Sequence, residues 1–165
     1  MLALVKAQPG PGLELMDRPT PRIARDDQVL IEVAGCGLCG SDLHLFDGRM
    51  GAGVPLPLTI GHETAGTVVE VGPAVRGFAP GDRVIAESSD YCGRCRYCRR
   101  GEFGFCKEHV WMGFRQDGGL ASHLVAPELC LYRIPDKLAF DEAIMIKTVG
   151  VPLHAIEQVN IKPGD

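Results

Sequence analysis

The chain is 165 residues long, 45% hydrophobic and 23% charged, the proportions of a soluble globular domain with its own core rather than of a disordered or fibrous protein. Its 17 basic and 21 acidic residues give a net charge of -4, so no general positive field draws in nucleic acid or an anionic membrane. The opening run from Met1 to Val5 meets Lys6 and a Pro/Gly stretch too early for a signal sequence or a membrane span, which predicts a cytoplasmic protein.

Up to about Pro135 the pattern is short apolar runs broken by glycine and proline. Val29 to Ala34, Thr67 to Val71 and Asp82 to Ala86 read as strands. With 21 Gly and 12 Pro, most of them between such runs, the expected architecture is a small, heavily turned β-barrel or sandwich. From Phe140 the texture changes. Asp141 and Glu142 suit the first turn of a helix running through Ala143, Ile144 and Lys147, and Leu153 to Val159 continues at helical spacing. The closing Lys162-Pro163-Gly164-Asp165 reads as a turn that leads into a strand.

Seven cysteines, an odd number without an export signal, argue for metal binding rather than a disulfide framework. Cys92, Cys95 and Cys98 follow at successive spacings of three, with Cys106 eight positions on, and can wrap one zinc ion tetrahedrally. A closed sulfur shell leaves no position for water or substrate, so this zinc is expected to be structural. Arg94, Arg96, Arg99 and Arg100 stand where they can offset the charge of four thiolates. Two rivals are reduced cysteines packed as small hydrophobes, and a zinc ribbon for nucleic acid in which arginines interleave with Tyr91, Tyr97 and Phe103. The ribbon would need a basic face elsewhere, and the sequence offers none.

A second donor set lies upstream. Cys39 and His62, from separate segments, are good zinc ligands, and Glu63 can be a third, which leaves a position open for water or substrate as catalytic zinc requires. Cys36 and Cys130 have no spaced partners and read as core or near-surface thiols. His109, His123 and His154 read as structural. Phe46, Trp111 and Phe114 suit either core packing or the apolar wall of a pocket.

Gly61-His62-Glu63-x-x-Gly66, followed by Gly72 and Val75, resembles the zinc signature of the medium-chain alcohol dehydrogenase family. Cys39 to His44, the Cys92 to Cys106 lobe, Asp117 to Ala121 and Lys162 to Asp165 fall in family order, and the last of these segments look most similar to the threonine, sorbitol and other polyol dehydrogenases. The resemblance implies a mainly β chain: a GroES-like β-barrel over residues 1–150, with a zinc-binding lobe at about 88–110 and a short helical C-terminal segment. It implies one structural and one catalytic zinc, the latter held by Cys39, His62 and Glu63. Ser41 would pass on the alcohol proton, Asp42 would orient the zinc-bound histidine, and His44 would form the outer end of the relay. The implied reaction is oxidation of a secondary alcohol or polyol to a ketone with NAD(P).

The sequence departs from the family pattern in two places. Where relatives carry a further cysteine, glutamate or aspartate, this chain has Lys147 followed by Thr148, and an ammonium offers no lone pair to zinc. Either Lys147 pairs with Glu63, or three residues and a water suffice, or the lysine points to solvent. The 165 residues also hold no Gly-x-Gly-x-x-Gly turn for a dinucleotide pyrophosphate. In the family that motif begins just after the position of Asp165, so residues 151–165 are expected to be a connector toward an absent nucleotide-binding domain. The chain alone is then expected not to transfer hydride, and to self-associate or to pair with such a domain. The contrasting expectation is a zinc-binding structural or assembly module that has lost catalysis.

Overall fold

The computed structural model describes residues 1–50, 53–159 and 161. Among these described residues ten strands and two α-helices follow the chain as β1 (Leu2–Lys6), β2 (Glu14–Asp17), β3 (Gln28–Gly37), α1 (Gly40–Phe46), β4 (Leu58–Thr59), β5 (Glu63–Val71), β6 (Arg83–Ala86), β7 (Ser89–Asp90), β8 (Val110–Trp111), β9 (His123–Pro127), β10 (Leu131–Arg133) and α2 (Phe140–Val159). The mainly β reading of the sequence therefore holds.

Among the described residues the strands form a five-stranded antiparallel sheet in the order β10-β6-β5-β3-β9, a three-stranded sheet β2-β1-β4, and the pair β7-β8. The first two are stitched together rather than closed into one continuous ring. Leu4 N–H donates to Leu120 O at 2.8 Å, Ser122 N–H donates to Leu2 O at 3.1 Å, and Ala3 bridges Ala121. Alternation along the central strands fills the interior. Val29 and Ile31 on β3, Val68 on β5 and Val84 on β6 are buried with Leu124 and Ala126 of β9, and each of the valine, leucine and isoleucine side chains contributes about 1.5–3 kcal/mol over exposure.

Two strands are longer than their apolar runs suggest. β3 continues through Gly35, Cys36 and Gly37, and β5 begins at Glu63, because Gly35↔Ala65, Cys36↔Thr64 and Gly37↔Glu63 extend the ladder past an irregularity between Val33 and Gly35. The glycines make room at this end. A side chain at Gly35 would meet Ile144 of α2 at 2.7 Å, and one at Gly37 would meet the Glu63 carboxylate at 2.6 Å. α2 can thus lie against the ends of β3 and β5, where Ala143 is buried and Ile144 packs with Ala65 and Ile134.

Beyond Lys147 little of that helix is covered. Residues 148–159 are exposed, among them Val149, Val151, Leu153, Ile156 and Val159. Pro152 lies inside the helix and cannot donate to the preceding turn. Among the described residues no helix is long and apolar enough to cross a membrane.

Candidate metal centres

The extended β3-β5 ladder creates the first centre. Gly37 is paired with Glu63, so Cys39, two residues past the end of β3, falls beside His62 and Glu63 at the start of β5. One donor atom from each of the three lies within 4.8 Å of the others. Gly61 turns the chain into this position with φ +94°, a left-handed conformation that glycine adopts without strain.

α1 fixes the other side. Cys39 is its N-cap residue, and its backbone N–H donates to Asp42 Oδ2 at 2.8 Å, satisfying a donor that the helix itself cannot. Asp42 is 2% exposed, and its other oxygen, Oδ1, faces His62 Nδ1 at 3.5 Å. Among the described residues neither of these buried atoms has another hydrogen-bond partner, and each is the natural complement of the other. With the Nδ1 proton turned to Asp42, the Nε2 lone pair faces the donor cluster, where Ser41 Oγ lies 3.4 Å away.

The electrostatics agree with that assignment. Ser41, through its hydroxyl first and then its backbone N–H, holds the Cys39 thiol below its ordinary pKa, and His62 adds to the effect. Burial disfavours a charged His62, but the contacts with Asp42 and Cys39 outweigh burial and hold its pKa above the ordinary value, against an opposing field from Lys147. A thiol that ionises readily, an oriented imidazole and a buried carboxylate form a donor set that fits one divalent cation.

The remaining neighbours are clear. Lys147 does not point away to solvent: its Nζ lies 3.7 Å from Glu63 Oε1. Thr148 Oγ1 donates to the same oxygen at 3.2 Å, a contact that no local motif announces across 85 positions of sequence. Phe114, 7% exposed, packs its ring 4.8 Å from the His62 ring, and Trp111, 49% exposed, stands 5.7 Å beyond Phe114. Phe46 is exposed on α1. His44 is exposed one turn along α1 from Ser41, and among the described residues no hydrogen bond joins their side chains.

The second centre is the cysteine lobe. The Sγ atoms of Cys92, Cys95, Cys98 and Cys106 lie within 4.8 Å of one another. Cys92 to Cys98 is 3.9 Å and Cys92 to Cys106 is 3.6 Å, close to the tetrahedral edge of about 3.8 Å set by zinc–sulfur bonds of about 2.3 Å. The backbone N–H of Cys98 pulls the Cys95 thiol down to about 7, while burial pushes Cys98 up to about 12. Thiols so close together ionise as a set only around a cation.

β7 and β8 clamp the base of the lobe, with Ser89 opposite Trp111 and Asp90 opposite Val110. Arg25 then ties Asp90 to the body at 2.9 Å. The arginines do less than their sequence positions suggest. Arg94 pairs first with Glu108 at 2.6 Å, with Cys92 a lesser neighbour, and Arg96 donates to the Tyr97 hydroxyl at 2.6 Å. Cys36 and Cys130 belong to neither donor set: Cys36 lies beside Thr64, next to Glu63, and Cys130 donates to Ser89 O. All seven cysteines are free thiols.

Residues 25–136, which span both centres, match the model of the alcohol dehydrogenase GroES-like domain. The chain belongs to that family. Over 167 aligned residues, which take in 100% of this chain, it is 40% identical to an L-threonine 3-dehydrogenase of Coxiella burnetii and covers 48% of that protein. It is 37% identical to a sorbitol dehydrogenase of Halalkalibacterium halodurans, again over 100% of this chain and 48% of the relative. Among solved structures, an alcohol dehydrogenase from Thermus sp. ATN1 superposes with a TM-score of 0.90 at 30% identity, covering 100% of this chain and 49% of that one. The chain thus spans about half the length of the curated relatives it matches. Its GroES-like fold and its place in the polyol and threonine branch agree with the sequence reading.

Proposed function

We propose that these residues form the catalytic portion of a zinc-dependent dehydrogenase that oxidises a secondary alcohol or polyol to a ketone, with NAD(P) as hydride acceptor. The observation that carries the reading is the meeting of Cys39, His62 and Glu63 within 4.8 Å, with the Ser41 hydroxyl 3.4 Å from His62 Nε2. Relatives that act on threonine, sorbitol and other alcohols support it. Residues 1–150 are the GroES-like domain, 88–110 its structural lobe, and 151–165 a connector.

One zinc belongs to the four cysteines and one to Cys39, His62 and Glu63. A zinc ion held by Cys39, His62 and Glu63 would supply Lewis acidity toward an alcohol oxygen. The chain's own residues do the rest. Ser41 would take up the alcohol proton as its own hydroxyl proton passes outward, His44 would exchange protons with water at the exposed end of the relay, and Asp42 keeps the His62 ring turned to the cluster. Phe114, over the His62 ring, excludes water from one side.

Positioning two reactants supplies on the order of 7–11 kcal/mol of such a barrier, and the 165 residues hold no pyrophosphate turn to seat a nicotinamide. The exposed apolar residues of α2, Val149, Val151, Leu153 and Ile156, suit packing against a nucleotide-binding domain or a second copy. Neither nucleic acid nor a membrane is a partner in this reading, and the seven free thiols accord with the cytoplasm. The contact between Lys147 and Glu63 favours a second reading, a zinc-binding structural or assembly module without catalysis.

NADH formation separates the two. Residues 1–165 loaded with zinc should give none with secondary alcohols and polyols, and should turn over once mixed with the nucleotide-binding domain of a dehydrogenase relative. Turnover by residues 1–165 alone, above a zinc-free control, would refute the need for that domain, and a silent mixture would favour the structural module.

A further inference from the structure

The carboxylate of the open centre is gripped from both sides. On one side β3 brings Gly37 up against the Glu63 carboxylate, so close that a Cβ there would fall 2.6 Å from Oε2. On the other side α2 delivers two donors to Oε1, the Thr148 hydroxyl at 3.2 Å and the Lys147 ammonium at 3.7 Å. The Lys147 and Glu63 side chains are 25% and 8% exposed, so solvent screens this pair less than one at the surface. Among the described residues Glu63 has no other ion-pair partner.

A divalent cation entering between Cys39, His62 and Glu63 meets two opposing effects. Thiolate and carboxylate attract it, while the ammonium beside the carboxylate repels it and shares the electron density of the donor oxygen. The lobe differs: its four donors are all sulfur, Arg94 pairs first with Glu108, and Arg96 donates to the Tyr97 hydroxyl.

We propose that Lys147 is a positioning residue that sets metal affinity: with Thr148 it holds Glu63 through Oε1 and makes the Cys39, His62, Glu63 centre the weaker and more readily exchanged of the two. The inference rests on the reading that this cluster takes a divalent cation, but not on hydride transfer. A lysine that merely packs α2 onto the sheet would influence stability and leave affinity alone.

The test is a zinc competition titration of the full chain against a chromophoric chelator, with the open-centre phase assigned by its loss in Cys39→Ala. Lys147→Met keeps the aliphatic stem and removes the charge. It should tighten the open centre by about tenfold and leave the lobe phase unchanged. Lys147→Arg should stay near wild type, and Lys147→Glu, which adds a donor, should bind tighter than Lys147→Met. In a Glu63→Gln background the gain from Lys147→Met should shrink, because the charge pair is already gone.

Equal open-centre affinity in wild type and Lys147→Met, at matched thermal stability, would overturn the inference and leave the metal centre standing. A gain undiminished by Glu63→Gln would likewise overturn it. Absence of an open-centre phase in every variant, with one zinc remaining in the lobe, would overturn the inference together with the metal reading.

Discussion

Cys95→Ser should release one zinc per chain and open residues 88–110 to protease. The sulfur distances of 3.6–3.9 Å in the lobe already match a tetrahedral shell, and a fourth thiolate is not replaced by a serine hydroxyl, which stays protonated and is a harder donor. Such a site contributes on the order of 10–16 kcal/mol of binding free energy in zinc-finger peptides, far more than the short helical turns at Cys98–Arg100 and Phe103–Phe105 provide. The damage should stay local. The β7-β8 pair and the contact between Arg25 and Asp90 lie at the base of the lobe, and the main core is built from other strands. Zinc counts with limited proteolysis check this, and full zinc with an unchanged digest would contradict the assignment.

Gly118→Ala should lower unfolding free energy by about 3 kcal/mol, the upper end of what overpacking costs. A Cβ at Gly118 would lie 2.0 Å from Gly61 O and 2.7 Å from Gly113 Cα, both backbone atoms that no rotamer change can move. Relief must come from shifting the segment that carries His62, so the same substitution should weaken metal binding at the open centre while sparing the lobe. Denaturant unfolding and zinc titration read the two effects. Wild-type stability would show that the close approach of Gly118 to Gly61 is not required.

What the sequence could reveal depended on how local each signal was. The lobe was legible because its four thiols lie close together in the chain, and Cys39, His62 and Glu63 were legible through their donor chemistry and the glycines around them. The strand positions were visible, but not their ends. The apolar run that marks β3 stops at Ala34, whereas the ladder runs on through Gly35, Cys36 and Gly37, where glycine's lack of a side chain lets Ile144 and Glu63 close in.

The surroundings of Glu63 were less accessible still. Sequence spacing left Lys147 with several fates, and only the packing of α2 on β3 and β5 selects the one beside Glu63. The Thr148 hydroxyl reaches that carboxylate across 85 positions, a distance at which no motif operates. The ring of Phe114 over His62 was equally open between core and pocket until β5 and the Trp111 region met.

The central claim is that the chain holds two separate metal centres, and zinc stoichiometry measures it most directly. Zinc per chain, by elemental analysis after exhaustive dialysis against a defined free-zinc buffer, should approach two for the wild type. It should fall to one in Cys39→Ala, through loss of the open centre, and to one in Cys95→Ser, through loss of the lobe. A wild-type chain that holds a single zinc, retained in Cys39→Ala and lost in Cys95→Ser, would contradict the account of Cys39, His62 and Glu63 as a metal centre.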